Sequence, residues 1–314
     1  MIRVQNLTKY YGERLAVDDI SFNVAKGEIV GLLGPNGAGK TTTMRILTGF
    51  LMPTNGNAWV ADCNMVTNSL EGRQHIGYLP EAIPLYTDVT VRSYLEFAGR
   101  LRGLDKYEIK NRIDDVVELC HLEDYIDVLI GKLSRGFRQR VGVAQAIIHE
   151  PEVMILDEPT LGIDPIQVAQ TRQLIKDLGE EHTILISSHI LPEVSMVCDR
   201  VVIIHEGRIV AEDRIENLST ILRNSKNVRL EVQGPHEAVT IKLQQVPGVL
   251  RVQYQEPYHL VECPAEQDLR SSLMTAIVQG GWTILSMATV DMSLEDIFLE
   301  LTTEEESDDE ELEE

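Results

Sequence analysis

The run Ile29-Val30-Gly31-Leu32-Leu33, followed by Gly34-Pro35-Asn36-Gly37-Ala38-Gly39-Lys40-Thr41, constrains this chain more than any other stretch. A short apolar run bounded by turn residues reads as a strand buried on both faces. Helical sequence then runs from about Thr41 to Leu51 and closes at Pro53 and Gly56. The turn between them fits G-x-x-x-x-G-K-[ST], in the strand-to-helix setting that gives the pattern its chemistry. Glycines let the backbone wrap inward so that its N–H groups face phosphate oxygens, and the helix N-terminus adds positive potential. Lys40 supplies the neutralising charge, and the Thr41 hydroxyl is placed to coordinate Mg²⁺. Residues Gly34, Pro35, Asn36, Gly37, Ala38, Gly39, Lys40, Thr41 and Thr42 are therefore the candidate nucleotide contacts.

Two further buried strands, Val153-Met154-Ile155-Leu156 and Thr183-Ile184-Leu185-Ile186-Ser187, alternate with helical sequence, which predicts a parallel α/β sheet. The first ends at Asp157-Glu158. A carboxylate at the C-terminal end of a parallel strand lies beside the phosphate loop, so Asp157 is a candidate Mg²⁺ ligand and Glu158 a candidate general base. His189 follows the next strand at the same sheet edge. A lone histidine is most often structural, but here an imidazole could contact the γ-phosphate and hold the attacking water.

From about residue 90 to 150 the texture changes. Apolar residues recur at helical spacing, Val91, Leu95, Ala98 and Leu101, then Ile109, Ile113, Val116 and Cys120, which predicts an inserted helical subdomain. The sheet resumes and ends in a hairpin through Glu206-Gly207. After Leu222 the pattern restarts as strand, helix, strand, strand, helix, strand, the ferredoxin-like order of a small α+β domain over 223–301. It contains no cluster of catalytic residue types, so a regulatory or dimer-supporting role is expected of it. An amphipathic helix over Leu294 to Leu301 is expected to close it. Residues 302–314 form an acidic run that repels itself and is expected to stay disordered as a solvating tail.

With 314 residues, the chain is long enough for one large domain over 1–222 and this smaller one. No stretch approaches the ~20 consecutive apolar residues of a membrane span, and the N-terminus enters strand-like sequence directly, so a cytoplasmic location is expected. The four cysteines are scattered without zinc spacing and read as reduced thiols, mostly buried. A formal net charge of −22 disfavours a nucleic-acid partner, which would require a basic surface.

Residues 1 to about 220 resemble the ATP-binding subunits of ABC transporters. The phosphate loop is followed in order by Leu133-Ser134-Arg135-Gly136-Phe137, Met154 to Glu158, Leu161-Gly162-Ile163-Asp164 and Ser188-His189, which are similar to the ABC signature motif, Walker B strand, D-loop and H-loop. The resemblance implies a P-loop NTPase cassette with the helical insert, binding ATP and Mg²⁺. It implies that Ser134 and Gly136 contact the γ-phosphate held by a second cassette, that Asp164 helps join the two sites, and that Tyr11 stacks on adenine. A lone aromatic more often belongs to the core, but its position just before Gly12 favours the stacking role. Two departures stand out. The signature commonly reads Leu-Ser-Gly-Gly-Gln, whereas Arg135 and Phe137 occupy its third and fifth positions here. A glutamine is common after the strand Ile76-Gly77-Tyr78-Leu79, where this chain has Glu81, an added carboxylate near the Mg²⁺ ligands.

The appended domain, ending in Ser293-Leu294-Glu295-Asp296-Ile297-Phe298, looks like the extension of ATPases that serve type-2 export permeases, including multidrug and gliding-motility systems. By that resemblance the partners are an integral-membrane permease and a second ATPase cassette, with a homodimer expected ahead of a heterodimer and the protein peripheral on the inner face of the cell membrane. Two rivals are weaker. A soluble ABC ATPase of translation or DNA maintenance would carry tandem cassettes or a coiled-coil insert, and a non-catalytic regulator would lack Lys40 or Glu158.

Overall fold

A computed structural model of the chain describes residues 1–215, 217, 225–264 and 267–290. The expected helix over Leu294 to Leu301 and the acidic tail over 302–314 lie outside the described residues. The chain divides into two compact units, Met1–Asp213 and Arg214–Glu314.

In the first unit, β1 (Ile2–Tyr11), β2 (Arg14–Val24), β4 (Asn55–Val60) and β5 (Cys63–Asn64) form an antiparallel sheet of order β2-β1-β4-β5. Alternation along β1 and β2 turns Ile2, Val4, Leu7, Val17, Ile20, Phe22 and Val24 inward. The parallel strands read from the sequence form a second sheet. The second has order β10-β9-β3-β8-β7-β6, built from β3 (Ile29–Leu33), β6 (Ile76–Leu79), β7 (Val153–Asp157), β8 (Thr183–Ser188), β9 (Arg200–His205) and β10 (Arg208–Arg214). Its β9-β3-β8-β7-β6 portion is parallel. Every residue of β3, β7 and β8 is buried, as strands covered on both faces require. Helix α1 (Lys40–Leu47) packs between the two sheets, its Met44, Ile46 and Leu47 joining the core formed by Val4, Leu32 and Ile155. It ends four residues before the predicted Leu51, where Gly49 adopts a φ of 66°.

A short α2 (Ser69–Gly72) precedes β6. The insert then contributes α3 (Val91–Leu101), α4 (Lys106–Leu119) and α5 (Arg135–Ile147). Thr90 caps α3 by accepting from Ser93 N, and Asp105 with Glu108 forms a capping box on α4. The apolar stripe read from the sequence faces inward at Val91, Leu95 and Ala98 on α3 and at Ile109, Ile113, Val116 and Cys120 along and just past α4, whereas Leu101 in the last turn of α3 is 75% exposed. Helix α6 (Pro165–Gly179) connects β7 to β8, and the short α7 (Leu191–Ser195) lies between β8 and β9.

The second unit comprises β11 (Ser225–Gln233), α8 (His236–Gln244), β12 (Arg251–Gln255), β13 (Tyr258–Pro264), α9 (Arg270–Gln279) and β14 (Thr283–Val290). The strand order β12-β13-β11-β14, antiparallel throughout, is the ferredoxin-like arrangement. Val239 and Leu243 of α8 and Leu273 and Ile277 of α9 pack on Val228, Leu230, Val252 and Val261 of the sheet. Cys120, Cys198 and Cys263 are buried free thiols, and Cys63 is half-buried. No described helix is long and apolar enough to cross a membrane.

Candidate functional site

The C-terminal ends of β3, β7 and β8 meet at one edge of the parallel sheet, where such folds bind ligands. The loop after β3 turns sharply through Gly39 at φ 112°, and a Cβ there would lie 2.7 Å from the Ala16 carbonyl oxygen. Only glycine allows that path. The N–H groups of Gly39, Lys40, Thr41 and Thr42 at the start of α1 have no backbone acceptor among the described residues, as expected at a helix N-terminus. Lys40 is buried and curls over its own loop, its Nζ donating to the carbonyls of Gly34 at 2.6 Å and Pro35 at 3.1 Å.

Parallel register places Asp157 of β7 directly opposite Ser187 of β8. The Ser187 hydroxyl donates to Asp157 Oδ1 at 2.6 Å and accepts from the Glu158 N–H at 2.8 Å, so one side chain orients both carboxylates. Thr41 Oγ1 lies 3.3 Å from the same Oδ1. Asp157 Oδ2 is buried with no hydrogen-bond partner among the described residues. Burial raises the Asp157 carboxyl above its ordinary range, with Glu158 and Glu81 adding to the effect and the Ser187 and Thr41 hydroxyls opposing it.

Glu158 holds the left-handed region at φ 49°, a strained conformation for a side-chain-bearing residue and one that recurs at functional sites. Its Oε1 is 3.4 Å from Lys40 Nζ, and its Oε2 is 2.9 Å from His189 Nδ1. Both oxygens are thus engaged, one by an ammonium and one by an imidazole.

Lys40, Thr41, Glu158 and His189 line a cleft of about 550 Å³ that also takes in Tyr11, Arg14, Ala16, Asn36, Gly37, Gly39, Thr42, Glu81 and Leu161, whereas Gly34, Pro35, Ala38 and Asp157 do not line it. Tyr11 is 45% exposed rather than part of the core, with Lys9 Nζ 5.6 Å from its ring centroid. Glu81 is exposed at the rim. The sequence reading missed Ser187 and Arg14. A serine ending an otherwise apolar strand was a readable signal for the first; Arg14 reaches the cleft only because the β1–β2 hairpin pairs it with Tyr11.

Ser134, Gly136 and Asp164 do not line this cleft. Ser134 is the N-cap of α5, its Oγ accepting from Phe137 N at 3.3 Å. Asp164 is the N-cap of α6, its Oδ1 accepting from the N–H groups of Ile166 and Gln167, both at 3.1 Å. The Phe137 ring lies 4.0 Å from that of Tyr125, with the Arg140 guanidinium 5.3 Å from it, so this departure from the common motif is used in packing.

The sequence model of the ABC transporter family matches residues 17–161. The bacitracin transport ATP-binding protein BcrA of Bacillus licheniformis is 37% identical over 312 residues, covering 96% of this chain and 97% of the relative. The linearmycin resistance ATP-binding protein LnrL of Bacillus subtilis (strain 168) is 33% identical over 305 residues, covering 96% and 98%. A solved ATP-binding subunit of an ABC transporter is 29% identical with a TM-score of 0.64, over 70% of this chain and 92% of that one. A dimeric cassette in a post-hydrolysis state, bound to ADP and Pi, shares the fold at a TM-score of 0.63 and 23% identity. Full-length similarity of this kind, joined to a phosphate loop facing a strand-end carboxylate pair, places the chain in the ABC transporter family as an ATP-binding subunit, an ATPase that powers transport.

Proposed function

We propose that two copies of this chain close head to tail around two ATP molecules and drive export through a separate membrane permease. The observation that carries this reading is the division of the motif residues. Lys40, Thr41, Glu158 and His189 share one cleft, with Asp157 behind it against the Thr41 hydroxyl, whereas Ser134, Gly136 and Asp164 lie off it at the starts of two helices. Helix starts offer N–H donors and positive potential, which suits them to a phosphate presented by a second copy.

The residues present fit Mg²⁺. Asp157 has one oxygen beside the Thr41 hydroxyl and the other buried without a hydrogen-bond partner among the described residues. One carboxylate and one hydroxyl suffice for an ion that takes its remaining ligands from phosphates and water. Asp157 and Thr41 would hold it, with Glu81 at the rim, and when bound it neutralises charge on the phosphate oxygens.

Within the chain, Lys40 exchanges the Gly34 and Pro35 carbonyls for phosphate oxygens, and Tyr11 offers a face for adenine. Glu158 then takes a proton from the attacking water while His189 holds the carboxylate in orientation from its Oε2 side. Hydrolysis and phosphate release remove the shared γ-phosphate and reopen the pair.

A groove of about 390 Å³, lined by aromatic residues including exposed Phe50 and Phe97 and by Arg73 and Arg102, is a suitable seat for a short permease helix. Such docking would place the protein on the inner face of the cell membrane. The names of the bacitracin and linearmycin relatives favour export of an antibiotic-like molecule, with the cargo chosen by the permease. The second unit has a regulatory or dimer-supporting role.

The test is Glu158→Gln, studied with ATP and Mg²⁺ by size-exclusion chromatography with light scattering. Hydrolysis should fall ~10²- to 10⁴-fold while ATP still binds, so that closed dimers accumulate. Parental hydrolysis would remove Glu158 from its role. Stalled, ATP-loaded monomers would mean that the cassette does not close without its permease.

A further inference from the structure

The two helix starts that lie off the cleft are joined to each other by a pair of side chains laid on glycines. Arg135, the first residue of α5, rests its guanidinium on Gly162 of the Leu161-Gly162-Ile163-Asp164 loop. A Cβ on Gly162 would lie 2.3 Å from its Nη1, 2.4 Å from Cζ and 2.7 Å from Nη2, and Gly162 itself has a φ of 71°. In the opposite direction, Gln167 of α6 lays its side-chain amide on Gly136, where a Cβ would come within 1.1 Å of Oε1. These glycines are sockets. Real Cβ atoms do not approach so closely, so each contact exists only because the receiving residue has no side chain.

The Gly162 contact is not one of charge. Arg135 makes no ion pair among the described residues. Its cation also sits at a helix N-terminus, where the helix dipole disfavours it. What the contact supplies is a flat plate against a backbone turn. That turn is tied to the catalytic carboxylate on its other side: the Leu161 N–H donates to the Glu158 carbonyl at 3.1 Å, and Leu161 lines the nucleotide cleft. A continuous chain of contacts therefore runs from Glu158 through Leu161 and Gly162 to Arg135, and on to the adjoining cap residue Ser134.

We infer that Arg135 is a positioning residue for ATP hydrolysis: by packing flat on Gly162 it holds the Leu161–Asp164 loop, and with it Glu158, in fixed relation to Ser134. The inference rests on the reading that Ser134 serves the nucleotide of a second copy. The arginine, a departure from the common motif, thereby takes a mechanical role that a glycine at the same place could not fill.

The experiment is a double-mutant cycle on the full chain with Arg135→Ala, Gly162→Ala and the pair, measuring kcat, KM and ATP affinity, alongside Arg135→Lys. Arg135→Ala is expected to lower kcat ~10-fold or more, the scale of a small misplacement transmitted from outside the reacting groups. ATP affinity should stay within about twofold, because Arg135 does not line the cleft. Gly162→Ala carries the strain of alanine at a φ of 71° in either background, but the part of its defect that comes from its Cβ meeting Arg135 should vanish in Arg135→Ala, so the pair should be less than additive. Arg135→Lys should fail to restore kcat, having the charge without the plate. Parental kcat in Arg135→Ala, additive defects, or full rescue by lysine would each overturn the inference. Light scattering of the Glu158→Gln chain with ATP separates the two readings: if it stays monomeric while the Arg135 and Gly162 effects remain coupled, the cassette does not close without its permease and the positioning role stands.

Discussion

His189 Nδ1 lies 2.9 Å from Oε2 of Glu158, and it reaches that oxygen from the strand next to the one that ends at the carboxylate. The imidazole therefore fixes the rotation of the carboxylate plane and leaves Oε1 to face Lys40. Replacing His189 by alanine should lower kcat ~10²-fold or more while leaving ATP affinity within about twofold, since the ring bonds the base rather than the loop. Glutamine, which can still donate to Oε2, should retain more activity than alanine. Steady-state kinetics paired with calorimetric ATP titration gives the answer, and equal activity in the two variants would mean that the contact to Glu158 is not what matters.

Lys40→Ala has two expected consequences with one cause. Its ammonium is the fixed cation of the loop, so ATP affinity should fall ~10- to 100-fold, the scale of a lost charge-assisted hydrogen bond. Glu158, only 8% exposed, is also left without its ammonium partner, so the nucleotide-free protein should melt at a lower temperature. Calorimetry and thermal unfolding read the two effects separately. Affinity within about twofold of the parent would remove Lys40 from its assigned role.

Asp157→Asn should separate stability from function. The carboxyl of Asp157 is raised by burial, so in the metal-free protein its charge is a cost at neutral pH. A raised carboxyl favours the fold fully below its unfolded pKa, and that contribution is lost as pH rises through the folded value. In the presence of a chelator, the melting temperature of the variant relative to the parent should therefore climb between acid and neutral pH, even as Mg²⁺-dependent hydrolysis is lost. A gap that does not change with pH would remove the carboxyl from this balance.

His149 governs a different pH window. Its Nε2 bonds the Ile76 carbonyl at 3.1 Å and its Nδ1 is buried without a partner among the described residues. Burial, with Arg102 and Arg112 adding to it against the Ile76 bond, pushes the imidazole down to about 4. The unfolded chain takes up a proton near its ordinary value of 6.5, the folded one does not, so stability should fall as pH drops from 6.5 towards 4. Allowing for partial solvent screening, the loss is on the order of 1–2 kcal/mol. In His149→Gln, which keeps a donor for Ile76, that acid limb should flatten in denaturant titrations across this range.

Much of the site was legible in the order of residues because it depends on local geometry. A buried strand, a glycine turn and a helix start specify a phosphate loop within a dozen residues, and an apolar strand ending in Asp157-Glu158 specifies where acids meet it. The insert announced itself through the spacing of Leu95, Ala98, Ile109 and Ile113, and the second unit through its alternation of strands and helices. Tertiary structure decided what depends on register and crossover. Periodicity does not reveal that Ser187 stands opposite Asp157 and orients both acids, because that follows from how β8 aligns with β7. Nor does it separate the antiparallel sheet from the parallel one, since alternation records which residues turn inward but not which strands pair. Least visible were the glycine sockets. Gly136 and Gly162 read in sequence as parts of two separate motifs, and only the packing of α5 beside the start of α6 shows that each receives the side chain of the other's helix or loop.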